Sequence, residues 1–145
     1  MNPSRVVMFS GGVGSWAAAR RVVERHGTAG VVLLFADTLI EDADLYRFIE
    51  QAAADVGAPL VRLADGRTPW QVFRDERFLG NARVDPCSKL LKRKVLDRWV
   101  TANCDPDTAT LYLGIDWTEH HRLVRHAARR APWRVEAPMC DPPYL

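Results

Sequence analysis

The chain has 145 residues, of which 48% are hydrophobic and 26% charged, which is the composition of one soluble globular domain. No apolar run reaches the roughly 18 residues that a membrane-spanning helix needs, so no membrane partner is expected. The net charge of +2 gives no strong signal for nucleic-acid binding, although residues 74–134 carry +5 and suit a small anionic ligand.

The first half of the chain predicts alternating strands and helices. Val6–Phe9 has the pattern of a buried strand, and the helix that follows, Ser15–His26, ends with Gly27 as its C-cap. Val31–Ala36 is a continuous, β-branched apolar run, which is typical of a strand covered on both faces. The apolar stripe of Asp42–Val56 predicts the next helix, and a glycine closes it.

The second half continues the alternation with one extra helix. Its predicted elements are, in order, a strand at Leu60–Leu63, a helix beginning at Thr68, a helix beginning at Asp85 and running through Lys89–Thr101, a strand at Ala109–Ile115, a helix near Glu119–Arg130 and a strand at Trp133–Val135. This order predicts an α/β fold with a doubly wound, mostly parallel five-stranded sheet and helices on both faces, of the Rossmann-like type. No repeat or linker interrupts it, so residues 1–145 are expected to form a single domain.

Ligands of such sheets lie beyond the carboxyl ends of the strands, and the turn Ser10–Ser15 is one such position. Two interpretations of this turn are open. Gly12, Gly14 and Ala17 satisfy the dinucleotide pattern GxGxxA, with Asp37 at the distance of a ribose-binding acid. Alternatively, the whole run Ser10-Gly11-Gly12-Val13-Gly14-Ser15 forms a phosphate cradle from main-chain N–H groups, a helix N-terminus and two hydroxyls.

The six-residue run resembles the pyrophosphate-binding loop, SGGx-D-S, of the adenine nucleotide α-hydrolase-like superfamily. That superfamily includes the PP-loop ATP pyrophosphatases and the phosphoadenosine phosphosulfate (PAPS) reductases. Three later segments resemble other parts of the same pattern, in the same order: Phe35-Ala-Asp37-Thr38 followed by Glu41, the basic segment Pro86–Arg93, and Leu113-Gly114-Ile-Asp116-Trp-Thr-Glu-His-His-Arg122. The four segments together favour the pyrophosphate loop over the dinucleotide site.

The resemblance implies an enzyme that binds ATP or a related adenine nucleotide together with Mg²⁺. It implies cleavage between the α- and β-phosphates, with AMP passing to an unidentified acceptor substrate or to water. The implied phosphate ligands are the Ser10–Ser15 turn and Arg122, with Lys89 or Arg93 as further catalytic cations.

Asp37, Thr38 and Gly114 are the other implied contacts with the nucleotide, and Asp37 and Asp116 are the implied oxygen ligands of the metal ion. Two positions depart from the family pattern. Gly14 stands where ATP-cleaving members carry Asp, and Asp116 stands where the reductases carry Arg. These departures keep a non-catalytic nucleotide-binding module open as an alternative, beside an NAD-type dinucleotide-binding domain.

The cysteines Cys87, Cys104 and Cys140 include no CxxC pair, so the sequence supports no disulfide framework, zinc site or iron–sulfur cluster. We expect reduced thiols in a cytoplasmic protein. PAPS reductases use a cysteine near the C-terminus, whereas this chain stops at Leu145 without such a tail. A PAPS reductase is therefore an alternative in which Cys87 or a missing C-terminal segment supplies the thiol. A homodimer is compatible with the sequence.

Overall fold

The computed structural model describes residues 3–9, 13–37, 42–64, 71, 74 and 92–143. Five strands lie in this part of the chain: β1 (Arg5–Met8), β2 (Val31–Asp37), β3 (Leu60–Ala64), β4 (Thr110–Tyr112) and β5 (Arg134–Glu136). Its α-helices are α1 (Val13–His26), α2 (Ala43–Val56), α3 (Lys94–Asn103) and α4 (His120–Arg130), with 3-10 turns at Trp117–Glu119 and Pro138–Cys140. Each strand and α-helix overlaps an element predicted from the sequence. Of the helix predicted from Thr68, the structure describes only Gln71 and Arg74, and both are helical.

The five strands form one sheet in the order β3-β2-β1-β4-β5, and every neighbouring pair is parallel. Arg5 of β1 pairs with Val31 on one side and with Thr110 on the other, so β1 is the central strand. The α/β class and the parallel sheet are thereby confirmed. The strand order reverses at β1, and such a reversal leaves a crevice beyond the carboxyl ends of β1 and β4.

Apolar side chains pack on both faces of the sheet, because successive residues of a strand point to opposite faces. On one face, Val7, Leu33 and Phe35 pack with residues of α1 and α2. On the other face, Val6 and Leu111 pack with residues of α3. Burial on both faces explains why β1 and β2 are uninterrupted apolar runs in the sequence.

Helix α2 begins and ends at residues that the sequence predicts. The Asp42 carboxylate accepts a hydrogen bond from the N–H of Asp44 at 2.7 Å, which caps the first turn. Gly57 ends the helix in the left-handed conformation, with φ +81°. Gly27, the predicted C-cap of α1, adopts the same conformation with φ +75°.

Strand β4 is shorter than predicted, because it pairs only over Thr110–Tyr112 rather than over Ala109–Ile115. The N–H of Leu113 still donates to the carbonyl of Glu136 at 2.9 Å. The chain then leaves the sheet at Gly114, where it turns against the start of α1. Strand β4 therefore stops short of Ile115 where Gly114 meets the main chain of Gly14 and Ser15.

The residues after β5 fold back along α1. Nη1 of Arg21 donates to the carbonyls of Pro138 and Asp141, both at 2.9 Å, and Nη2 donates to the carbonyl of Pro143. Arg25 forms an ion pair with the Asp141 carboxylate at 3.3 Å. These contacts hold the flank of the helix whose first turn borders the crevice.

Candidate functional site

The candidate site lies at the carboxyl ends of β1 and β4, where a cavity of about 350 Å³ opens. We call it the switch-point cavity; its lining residues are Met8, Gly14, Ser15, Leu113, Gly114, Ile115, Glu119, Arg122 and His126. The cavity therefore brings together the start of α1, the residues after β4 and the first turns of α4. Four residues that the sequence predicts as contacts of one nucleotide line this cavity: Gly14, Ser15, Gly114 and Arg122.

The two glycines of the switch-point cavity touch through their main chains. A Cβ on Gly14 would lie 2.8 Å from the carbonyl oxygen of Gly114, and a Cβ on Gly114 would lie 2.7 Å from the main-chain nitrogen of Ser15. Real Cβ atoms essentially never come within 3.0 Å of such atoms, so both positions require glycine unless the backbone moves. This contact gives a physical reason for glycine at position 14.

The first turn of α1 offers main-chain donors to the cavity, because the first N–H groups of any α-helix have no partner within the helix. No acidic residue lies in this turn, so its partial positive charge is not offset locally. Ser15 is 3% exposed, whereas Val13 is 69% exposed. The first half of the predicted cradle, Ser10–Gly12, lies outside the described residues.

Arg122 supplies a cation to the cavity. Its Nη1 donates to Oε2 of Glu119 at 2.8 Å, one helical turn away, and the two side chains are 45% and 49% exposed. An exposed pair of this kind contributes little to folding stability. Because a guanidinium has five N–H donors, Arg122 can hold Glu119 and an oxyanion at the same time.

His126 also lines the cavity, four residues after Arg122 on α4. Nη2 of Arg129 lies 3.4 Å from Nδ1 of His126, and since a guanidinium only donates, Nδ1 is the acceptor and the ring proton is on Nε2. Burial lowers the pKa of His126 below its ordinary 6.5, and the charges of Arg129, Arg130 and Arg122 lower it further. The imidazole is therefore neutral at pH 7 and carries a donor at Nε2.

Sequence reasoning missed His126. It predicts surface positions for His120 and His121, because adjacent residues on a helix point about 100° apart, and both are exposed as predicted. The signal that could have identified His126 is its i, i+4 spacing from Arg122, which places both side chains on one face of α4.

Asp37, a predicted nucleotide and metal contact, is not among the residues that line the switch-point cavity. It ends β2, and its Oδ1 accepts a hydrogen bond from the Tyr46 hydroxyl at 2.6 Å. Nη2 of Arg62 lies 3.8 Å from its other carboxylate oxygen. Protein groups from α2 and β3 thus already hold this carboxylate, and its role toward a ligand stays a prediction.

Asp116, the other predicted metal ligand, caps the turn that leads into α4. Its Oδ1 accepts hydrogen bonds from the N–H of Thr118 at 2.9 Å and from the hydroxyl of the same residue. Because β1 lies between β2 and β4, the strands that precede Asp37 and Asp116 are about 10 Å apart. Within the part of the chain that the structure describes, no three or more His, Cys, Asp or Glu form a group that could hold a metal ion.

Arg93, one of the predicted catalytic cations, lies directly before α3 and is exposed. It does not line the cavity, but its charge contributes to lowering the pKa of His126. The predicted contacts Ser10, Gly11, Gly12, Thr38 and Lys89 lie outside the described residues, as does Cys87. Their roles remain predictions.

A smaller apolar slot, of about 90 Å³, adjoins the carboxyl ends of β1 and β2. Its lining residues are Met8, Phe9, Leu34, Phe35, Ala36, Lys92 and Leu96. Met8 lines both this slot and the switch-point cavity, so the two openings lie on either side of the end of β1.

The switch-point cavity can bind an oxyanion, because the main-chain N–H groups at the start of α1, the guanidinium of Arg122 and the imidazole of His126 all border it. None of the helices among the described residues combines the length and the apolar character of a membrane span. No protein-family model matches the chain, and no curated protein matches it at a significant level.

Proposed function

We propose that this protein binds an adenine nucleotide by its phosphate chain in the switch-point cavity and cleaves it between the α- and β-phosphates. The observation that carries the proposal is that the start of α1, Gly114 and Arg122 meet in one cavity at the strand-order reversal. Open parallel sheets bind nucleotides at such reversals. The strand order and the packing on both faces also support the doubly wound, PP-loop type of this fold.

The phosphate chain would lie across the first turn of α1. There the main-chain N–H groups donate to phosphate oxygens, and Arg122 adds a charged fork on the opposite wall of the cavity. Nε2–H of His126 supplies a third donor without adding charge, since the imidazole is neutral. Three kinds of donor on two helices, α1 and α4, favour an extended polyphosphate over a single small anion.

The adenosine portion would extend toward β2. The apolar slot beside Met8 offers a surface for a flat base, and Lys92 at its rim offers a donor. The resemblance of Phe35–Thr38 to the segment that lies beside adenosine in the superfamily supports the same direction.

The described residues do not form a carboxylate cage for Mg²⁺, since Asp37 ends β2, Asp116 follows β4 on the other side of β1, and each carboxylate is engaged by protein groups. Mg²⁺ in proteins is commonly held by one or two carboxylates together with substrate phosphates. We therefore infer that any magnesium enters with the nucleotide.

In the proposed reaction, an oxygen of water or of an acceptor forms a bond to the α-phosphorus. The bond from that phosphorus to the bridging oxygen breaks, and pyrophosphate leaves with the electron pair. The α1 donors and Arg122 offset the negative charge that grows on the leaving group, which is the usual main contribution of a protein to phosphoryl chemistry.

A paired substitution tests this proposal. Arg122→Gln removes the cation from the cavity, whereas Arg125→Gln removes an exposed cation from the same helix outside the cavity lining. We expect Arg122→Gln to weaken ATP affinity by about tenfold or more, the value of a charge-assisted hydrogen bond, and Arg125→Gln to leave it near wild type. Isothermal titration calorimetry gives the affinities, and α-labelled ATP identifies AMP and pyrophosphate as products.

Each outcome of that experiment discriminates. Equal affinities for the two variants, release of ADP rather than AMP, or tighter binding of NAD than of ATP would each contradict the proposal. Tight ATP binding without turnover would favour a second candidate function, a nucleotide-binding module without catalysis. The contact between Gly14 and Gly114 supports this candidate, because it leaves no room at position 14 for the Asp that the ATP-cleaving pattern has there.

The described cysteines support sulfonucleotide reduction less than the structure supports cleavage between the α- and β-phosphates. Burial raises the pKa of the Cys104 thiol, and burial together with Asp141 and Asp116 raises that of Cys140, so neither is primed as a thiolate nucleophile. Sulfite release from PAPS with a thiol reductant would reverse this order of preference.

A further inference from the structure

A second cavity, of about 180 Å³, lies between α3, β4 and the end of α4. We call it the α3–α4 cavity. None of its lining residues lines the switch-point cavity. Its volume is far above the roughly 10–15 Å³ that a single water molecule needs. It is therefore a separate space with room for a small organic molecule.

Two buried donors belong to this cavity. Arg130 is 8% exposed, and its Nη1 donates to Oδ1 of Asp97 at 3.1 Å. Among the described residues, Nε of Arg130 and Nε1 of Trp133 are buried side-chain nitrogens without a hydrogen-bond partner. Both atoms are N–H donors and neither can accept, so the complement of this pair is an oxygen acceptor.

The charge around the cavity favours an anion. Arg130 and Arg129 carry two positive charges, and Asp97, at 3.1 Å and 3.8 Å from them, carries one negative charge. The charge of Arg93 also acts on Arg130, so the surroundings of the cavity are positive overall and suit a negatively charged ligand. Val100 and Leu111 add apolar walls that suit a short carbon chain.

We propose that the α3–α4 cavity binds a small organic carboxylate. One carboxylate oxygen accepts from Nε of Arg130 and the other from Nε1 of Trp133, and the carbon chain lies against Val100 and Leu111. This site is distinct from the proposed nucleotide site, since the two share no lining residue.

The indole N–H of Trp133 reports on this binding directly. In ¹⁵N-labelled protein each of the five tryptophans gives its own indole signal, and Trp133→Phe identifies the relevant one because it removes the N–H and keeps a smaller aromatic ring. We expect sodium propionate to shift the Trp133 signal saturably at millimolar concentration, while sodium chloride at equal ionic strength does not. Trp133→Phe should bind propionate about tenfold more weakly by calorimetry, the loss of one charge-assisted hydrogen bond.

Three results would overturn the proposal: a Trp133 signal that does not move with propionate, an equal response to chloride, or a response to inorganic phosphate alone. If Trp133→Phe does not fold, the titration of the wild-type protein with propionate still tests the proposal, because only one of the five indole signals should move. Comparison with the spectrum of Arg129→Gln then identifies that signal as the one next to the cavity. Loss of ATP binding in Arg122→Gln with an unchanged propionate shift would separate this site from the proposed nucleotide site.

Discussion

Replacing Gly114 with alanine tests the contact on which the switch-point cavity depends. The new Cβ would lie 2.7 Å from the main-chain nitrogen of Ser15 and 2.9 Å from both the carbonyl carbon of Gly14 and the Cα of Ser15. All three are backbone atoms, so the start of α1 or the turn after β4 has to move. Adding a methyl group to a packed region lowers the free energy of unfolding by about 1–3 kcal/mol. Because the displaced turn carries the proposed phosphate donors, ATP affinity should fall by about tenfold or more, or about 1.4 kcal/mol.

Gly57→Ala is the matched control. Gly57 also has a backbone conformation that disfavours alanine, with φ +81°, but an added Cβ meets nothing within 4 Å. It should lower the free energy of unfolding by about 1–2 kcal/mol and leave ATP affinity unchanged. Urea denaturation and calorimetry with ATP measure both quantities. The reasoning fails if Gly114→Ala keeps wild-type stability and affinity, or if Gly57→Ala loses the same affinity.

Three further predictions concern the pH response and the core. Burial lowers the pKa of His126 below 6.5, so the unfolded chain takes up a proton there before the folded protein does, and stability falls as the pH falls below 6.5. His126→Gln should therefore flatten the dependence of stability on pH in that range, measured by urea denaturation. The hydrogen bond from Arg20 lowers the pKa of the Asp55 carboxyl below 3.8, so the stabilising contribution of Asp55 is present above that pH and is lost in acid. Asp55→Asn should therefore make stability in urea denaturation depend less on acid pH. Leu33→Ala, at a position with no exposed surface, should lower the free energy of unfolding by about 2–5 kcal/mol, whereas Val124→Ala, 63% exposed, should change it by less than about 0.5 kcal/mol.

The elements of the fold could be predicted from local patterns. The uninterrupted apolar run Val31–Ala36 predicts a strand buried on both faces, and both faces of β2 are packed. Asp42 and Gly57 mark the ends of α2 because capping depends on the conformation of one or two residues, which their side chains determine. Information of this kind is contained within a few consecutive residues.

The geometry of the candidate site could be predicted only in part, because it depends on residues far apart in the chain. That Gly114 requires glycine follows from its contact with Gly14, which exists only after β4 pairs beside β1. The pKa of His126 depends on its burial and on the cations packed around it. The hydrogen bond and ion pair of the Asp37 carboxylate depend on Tyr46 and Arg62, which come from two other elements. No periodicity or motif at these positions carries that information.

The separation of the two glycines along the chain has a consequence for biosynthesis. They are 100 residues apart, and at a synthesis rate of roughly 5–20 residues per second the second leaves the ribosome about 5–20 s after the first. During that interval the central strand has a partner on one edge only, and its other edge is available for mistaken pairing with neighbouring chains. A nascent chain therefore has no finished switch-point cavity, and no ligand of that cavity can stabilise it, until translation passes β4.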